Sequence, residues 1–256
     1  MIPKIIHYCW FGRNPLPPLA LECIASWKKY LPDYEIMEWN EDNFDVNSIP
    51  YTAEAYKQKK YAFVSDYARF WIMYRYGGIY FDTDVEVIRP IDDIIAKGNF
   101  MGFEQDPDGE NTPGRYAPRF CFDVALGLGF GMTKEHSFMK ELMDYYDTLT
   151  FEGAKMNPWL KTIVAHTTEL LCVKGLRNVK GIQTVDDITI YPGEYFAPIN
   201  PMSRRLHITA NTRTIHRYMA SWSQQTKKTW KDYVRHYIPE WVFVMNNKIK
   251  RRKYKC

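Results

Sequence analysis

The chain has 256 residues, of which 46% are hydrophobic, 25% charged and 16% aromatic, with a formal net charge of +4 at pH 7. At roughly 100–200 residues per domain this is one large domain, or one domain with a small appendage, and the aromatic content excludes a disordered chain. The charge is unevenly spread: residues 226–256 hold ten Lys or Arg against two acidic residues, which leaves residues 1–225 mildly acidic. The most apolar stretches, Ile2–Ile6 and Trp241–Met245, are too short to cross a bilayer. The N-terminus reads as a core strand and not as a secretory leader. Cys9, Cys23, Cys121, Cys172 and Cys256 are scattered and never form a CxxC pair. That spacing argues against a disulfide framework or structural zinc and fits a reducing, cytoplasmic setting.

In chain order, Ile2–Tyr8 reads as a buried strand, and residues 12–18 as a Gly/Pro loop. Pro17 and Pro18 suit the first turn of a helix that runs to about Tyr30. Pro32-Asp33 breaks the chain before a second strand at Tyr34–Trp39, giving a strand–helix–strand opening of α/β type. Ala62–Tyr76 has no Gly or Pro and ends at Gly77-Gly78, as a helix with a glycine C-cap should. Strands follow at Ile79–Phe81 and Val85–Ile88, with Asp92-Asp93 as the N-cap pair of another helix. Further strands are expected at Phe100–Glu104, Leu128–Thr133, Ile188–Tyr191 and Thr214–Tyr218. Helices are expected at His136–Leu149, Pro158–Val173, Gln225–Tyr237 and Glu240–Lys250. Residues 105–120, with three Pro and two Gly, read as a mobile loop on the acceptor side of a site.

The chemistry concentrates in Ser65-Asp66-x-x-Arg69 and Gly77-Gly78-x-Tyr80-x-Asp82-x-Asp84. Asp66 and Arg69 are three apart and share a helix face. Two carboxylates two apart on a strand point the same way and repel unless a cation lies between them. A hard divalent ion, Mn²⁺ or Mg²⁺, is the natural partner, and such ions commonly hold substrate phosphates. An Asp-x-Asp alone is as readily a solvated turn; joined to the acid–base pair one helix earlier, it becomes specific.

These blocks resemble glycosyltransferase family 32, which contains yeast initiation-type mannosyltransferases and bacterial capsular polysaccharide enzymes, and the related glucosylating domain of large clostridial toxins. Ile2–Gly12 and Ile215–Trp222 are similar to the family as well. The resemblance implies a single GT-A-type α/β domain over residues 1–225, with a mixed, mainly parallel sheet flanked by helices and a basic helical extension at 226–256. It implies a nucleoside diphosphate sugar donor, with a UDP-sugar favoured over a GDP-sugar, and transfer with retention. Trp10 would stack on the base, with Tyr80 beside the donor. Asp66 and Arg69 would contact ribose, sugar or phosphate. Asp82 would touch ribose and donor sugar, and Asp84 would bind the metal together with Asp82. His216 would complete the metal site, with Ser221 as the alternative ligand, and Ser221 and Trp222 would close over the diphosphate. The acceptor would be a glycan or a lipid-linked oligosaccharide, in synthesis of a surface or capsular polysaccharide.

Other readings remain at this level. Retention by double displacement would need a carboxylate beside the anomeric carbon, and Glu104 and Asp123 are the candidates. A dehalogenase-like phosphohydrolase also uses Asp-x-Asp but expects Thr or Val where Glu86 stands. A non-catalytic nucleotide-sugar-binding module would be expected to lack one of Arg69, Asp82 or Asp84, and all three are present. His7 reads as core. The basic, aromatic tail suits an anionic membrane surface at the inner face of the membrane, or a helix packed on the domain, and is less suited to nucleic acid.

Overall fold

A computed structural model describes residues 1–107, 109, 122–152, 163–200 and 203–219. The tail from residue 220 onward, including Ser221 and Trp222, lies outside the described residues, as do 110–121 and 153–162. The described residues open with β1 (Ile5–Cys9), α1 (Pro18–Tyr30), β2 (Glu35–Trp39), α2 (Pro50–Lys57), α3 (Tyr61–Tyr76), β3 (Gly78–Tyr80) and β4 (Val85–Val87). They continue with α4 (Asp92–Ile95), β5 (Asn99–Gln105), β6 (Asp123–Val124), β7 (Phe130–Met132) and α5 (Ser137–Asp147). The last elements are α6 (Ile163–Val173), β8 (Gln183–Val185), β9 (Ile188–Tyr191) and β10 (Thr214–His216). Among these residues the main sheet runs β2-β1-β3-β7-β5-β9-β8, with β6 paired to β5.

Strand direction follows from the ladders. β1 is parallel to β2 and β3, β7 is antiparallel to both β3 and β5, and β9 is parallel to β5. Thus β1, β2, β3, β5 and β9 run one way, giving a mixed but mainly parallel sheet, and their C-terminal ends share one edge. In open α/β sheets that edge is where ligands bind. The strands of this sheet are buried because helices cover it; Ile6, Ile79, Phe100 and Phe130 are all fully inaccessible.

Local sequence explains how the chain reaches that edge. Pro18 stands at the start of α1, where its missing N–H costs nothing. Trp27 on α1 is fully buried and donates from Nε1 to Val85 O at 2.7 Å, while Ser26 Oγ accepts from Val87 N at 2.9 Å. Those two bonds fix β4 beneath α1. The helix α3 closes with Gly77 N–H on Met73 O at 3.0 Å, and Gly77 has φ +64°. At Gly78 a Cβ would lie 2.6 Å from Ile5 O, so only glycine lets β3 join β1 there. His7 is core, as expected: Trp39 Nε1 donates to its Nδ1 at 3.1 Å, which leaves Nε2–H to donate to Gly77 O at 2.9 Å. Burial holds this imidazole neutral, with its pKa pushed down to about 4 against the Gly77 bond.

Several boundaries differ from the sequence reading for physical reasons. Asp92 and Asp93 do not cap α4; Ile91 occupies the cap position, and Asp93 instead pairs with Arg213 at 2.8 Å. The strand expected at 128–133 shortens to β7 because a 3₁₀ turn takes Leu126–Leu128. α2, β6 and β8 were not foreseen: β6 and β8 are three residues or fewer, and α2 has a scattered apolar pattern. Cys9, Cys23 and Cys172 are free thiols.

Candidate active site

A cavity of about 730 Å³ opens at the C-terminal edge of the sheet. Trp10, Asp66, Arg69, Tyr80, Asp82, Asp84 and His216 all line it, so every described residue given a site role converges on one place. Trp10, one residue past β1, is half-buried and donates from Nε1 to Asn14 O at 2.7 Å. The indole is therefore anchored at the lip and is not a core residue.

Asp82 and Asp84 lie between two strands, as the strand bounds read from the sequence imply, and not on a strand as their two-residue spacing suggests. They occupy a tight turn between β3 and β4, closed by Val85 N donating to Asp82 O at 3.0 Å. The turn, and not strand alternation, makes the carboxylates converge. His216 reaches them because β10 pairs antiparallel with β4, setting His216 opposite Val85. One oxygen of Asp82, one of Asp84 and one nitrogen of His216 fall within 4.8 Å of one another. His216 Nε2 is 3.2 Å from Asp84 Oδ1, and Met219 N donates to Asp84 Oδ2 at 2.7 Å. Arg89 holds the approach to β10, donating to the carbonyls of Thr209 at 2.6 Å and Thr212 at 2.9 Å. Glu86, on β4, points to a surface ion pair with Arg217 and takes no part in the cluster.

Two carboxylates and an imidazole form an O,O,N donor set that fits a divalent cation, and the nitrogen favours Mn²⁺ over Mg²⁺. His216 Nδ1 is buried and has no hydrogen-bond partner among the described residues. An orphaned buried nitrogen of this kind is costly without a ligand. Burial works against charge on both partners, yet their attraction wins: the Asp84 carboxyl is held below its usual range and the His216 imidazole above its own.

Beside the cluster, Arg69 is almost wholly buried and forms a bridge. It is 3.2 Å from Asp66 Oδ1 and 3.3 Å from Asp82 Oδ1, and its Nε donates to Ser65 O at 3.1 Å. Its guanidinium lies 4.8 Å over the Tyr80 ring, so the buried Tyr80 supports Arg69 on that face. Burial alone would lower the Arg69 pKa; the Asp82 and Asp66 charges raise it, and the group stays cationic. Burial pushes the Asp66 carboxyl up to about 7, with Arg69 pulling it down only in part. Burial, less the pull of Arg69 and with the push of the Asp84 charge, also leaves Asp82 above its ordinary value.

One feature was missed in the sequence. Gly127 N-terminal to β7 has no room for a side chain: a Cβ there would overlap Asp82 Oδ2 and sit 3.7 Å from Arg69 Nη1. Of the two carboxylates considered for double displacement, Glu104 lines the cavity, whereas Asp123 is fully buried in β6 and does not. Ser221 and Trp222 lie outside the described residues.

Comparison with known proteins adds three findings. Residues 17–101 match the family model described as a glycosyltransferase sugar-binding region containing DXD motif. Inositol phosphoceramide mannosyltransferase 3 of Schizosaccharomyces pombe is 30% identical over 139 residues, covering 48% of this chain and 39% of that protein. The initiation-specific alpha-1,6-mannosyltransferase of Candida albicans is 26% identical over 141 residues, covering 47% and 37%. This chain therefore spans well under half the length of those relatives. The solved PaToxG glycosyltransferase superposes with a TM-score of 0.47 at 18% identity, covering 66% of this chain and 69% of that one.

Proposed function

We propose that the chain is a metal-dependent, retaining hexosyltransferase similar to glycosyltransferase family 32, a reading supported by the match of residues 17–101 to a DXD-containing sugar-binding region. The donor is a nucleoside diphosphate sugar, with a UDP-sugar expected ahead of a GDP-sugar, and the acceptor is a glycan or a lipid-linked glycan. The observation that carries the reading is the convergence of Asp82, Asp84 and His216 within 4.8 Å, next to the buried Arg69 and under the Trp10 lip. The two yeast relatives are named as mannosyltransferases, one of them for an inositol phosphoceramide, which supports a hexose donor and gives a precedent for a lipid acceptor.

The roles follow from placement. Trp10 at the lip offers a flat face for a base. Asp82, Asp84 and His216 would hold the ion, which would supply positive charge against the leaving diphosphate. Arg69, kept cationic by Asp66 and Asp82, stands where a sugar hydroxyl or phosphate oxygen would meet it. The burial of Arg69 and Asp84 strengthens their contacts relative to water.

A thermal-shift series of UDP, GDP and their sugar conjugates, with and without Mn²⁺, tests this. A nucleotide at about 100 times its dissociation constant stabilises the protein by about 2.7 kcal/mol, and the shift should require the ion. Asp84→Asn should remove that ion-dependent shift and leave the unliganded melting transition in place. A nucleotide shift that is the same without metal, or a Mn²⁺-dependent shift that survives in the Asp84 variant, overturns the metal-dependent reading.

A further inference from the structure

The cavity is lined by one further carboxylate, Glu104, outside the cluster of Asp82, Asp84 and His216 and apart from Asp66, the other acidic partner of Arg69. Among the described residues its acidic lining consists of Asp66, Asp82, Asp84 and Glu104. Asp66 and Asp82 flank Arg69, and Asp84 meets His216 and Met219 N. Glu104 stands outside the group that converges within 4.8 Å, yet its charge is felt at His216.

The backbone brings Glu104 there deliberately. In the β5–β6 ladder Phe103 faces Val124 and Gln105 faces Asp123, so Glu104 is an extra residue in β5. A bulge of this type bends the strand and re-aims a side chain, commonly next to an active site. Because β5 runs parallel to β1 and β3, the bulge sits on the same edge as Trp10 and the Asp82–Asp84 turn. Phe103, one residue earlier, is fully buried, so the chain leaves the core at this residue.

We propose that Glu104 is the acceptor-side carboxylate, accepting a hydrogen bond from the attacking hydroxyl and holding its oxygen toward the anomeric carbon. The proposal rests on the transferase reading above and names the residue that faces the second substrate. In the transfer, the acceptor oxygen bonds to the anomeric carbon, and the bond from that carbon to the phosphate oxygen breaks. The electron pair leaves with the diphosphate, and the hydroxyl proton passes to a released diphosphate oxygen. Glu104 ends the step unchanged. An ionised carboxylate suits this work because it only accepts hydrogen bonds, and its charge strengthens the one it makes.

Water replaces the acceptor in donor hydrolysis, so the test needs no known acceptor. Wild type, Glu104→Gln and Glu104→Ala are compared with Mn²⁺ on UDP-glucose, UDP-galactose, UDP-N-acetylglucosamine and GDP-mannose, together with the affinity for UDP and GDP. The expected result is a hydrolysis kcat lower by about tenfold or more in both variants, with nucleotide affinity and its metal dependence retained. Hydrolysis at the wild-type rate in either variant overturns the proposal. Lost nucleotide affinity in both variants places Glu104 with the donor and overturns it too. So does a glycosyl adduct on Glu104 by mass spectrometry, or a glycosyl azide formed by Glu104→Ala in azide, since either makes the residue a covalent nucleophile. A wild-type protein that neither binds nucleotide with Mn²⁺ nor splits any of these donors overturns the transferase reading itself, a result distinct from all the others.

Discussion

Gly127→Ala separates the fold from the site. The added Cβ would fall inside the van der Waals envelope of Asp82 Oδ2, with Asp82 Cγ at 3.1 Å and Arg69 Nη1 at 3.7 Å. Ordinary contact distances require the carboxylate to retreat by about 1 Å. The atom that must move is the tip of a side chain, about a third of which faces the open cavity. Overpacking relieved in that way costs at the low end of the usual range, about 1 kcal/mol. The functional cost is larger, because a displacement of about 1 Å in a reacting geometry lowers rates by about 10². The assay is Mn²⁺-dependent donor hydrolysis, with melting temperature measured on the same sample. Gly131→Ala is the control: its Cβ would strike the buried Phe100 ring and Ile2, away from the cavity. It should lower melting temperature more and leave the metal dependence of its folded fraction unchanged. A Gly127→Ala protein with wild-type hydrolysis and metal affinity would falsify the claim that Asp82 must sit where it does.

Trp10→Ala should weaken UDP or GDP binding by about 1–3 kcal/mol if the indole stacks on the base, read by calorimetry with Mn²⁺ present; equal affinities return Trp10 to a purely structural role. Asp66 gives a pH signature in metal-free protein. Its folded pKa, about 7, lies above the ordinary carboxyl value, so the folded state binds the extra proton. The stability it contributes is complete below the unfolded pKa of about 3.9 and is lost as pH rises through about 7. Asp66→Asn should remove that decline, leaving a flatter melting temperature between pH 4 and 7 than wild type, to an extent worth on the order of a few kcal/mol. Parallel wild-type and variant profiles would show that burial does not control this carboxyl.

The parts of the fold legible in the sequence are those where one residue type settles a local conformation. Gly77-Gly78 marks the end of α3, and Pro17-Pro18 marks the start of α1. The cluster was legible only through motif resemblance, because His216 lies 132 residues past Asp84 and meets it through the β4–β10 ladder. No local pattern encodes a pairing between three-residue strands. The strand bounds leave Asp82–Asp84 between β3 and β4, while the spacing of its acidic residues mimics a strand's period of two. Glu104 was visible as a carboxylate but not as a bulge, since the extra residue exists only relative to its partner β6. Gly127 carried no signal either; its constraint comes from Asp82, 45 residues away.

The distribution of charge explains why ion and nucleotide should bind together. Among the described residues Asp82 and Asp84 converge with His216 beside Arg69, and Asp66, Glu104, the exposed Lys59 and Lys60 and the half-buried Arg204 also line the cavity. Burial first, and then the Asp84 charge against the pull of Arg69, leaves Asp82 above its ordinary value. A bare diphosphate beside Asp82 and Asp84 meets carboxylate repulsion, and among the described residues an ion there without a diphosphate has Asp82, Asp84 and His216 as its donors. Each ligand therefore supplies what the other lacks. By linkage the factor by which Mn²⁺ tightens UDP must equal the factor by which UDP tightens Mn²⁺, with a coupling of about 1–3 kcal/mol. Two titrations by calorimetry, each at saturating and zero concentration of the other ligand, measure it. In Asp84→Asn the coupling should collapse toward zero while weak, metal-independent nucleotide binding at Trp10 persists. Independent binding of the two ligands to the wild-type protein would mean that the carboxylates do not hold the ion against the diphosphate, and the assignment of this cluster would have to be abandoned.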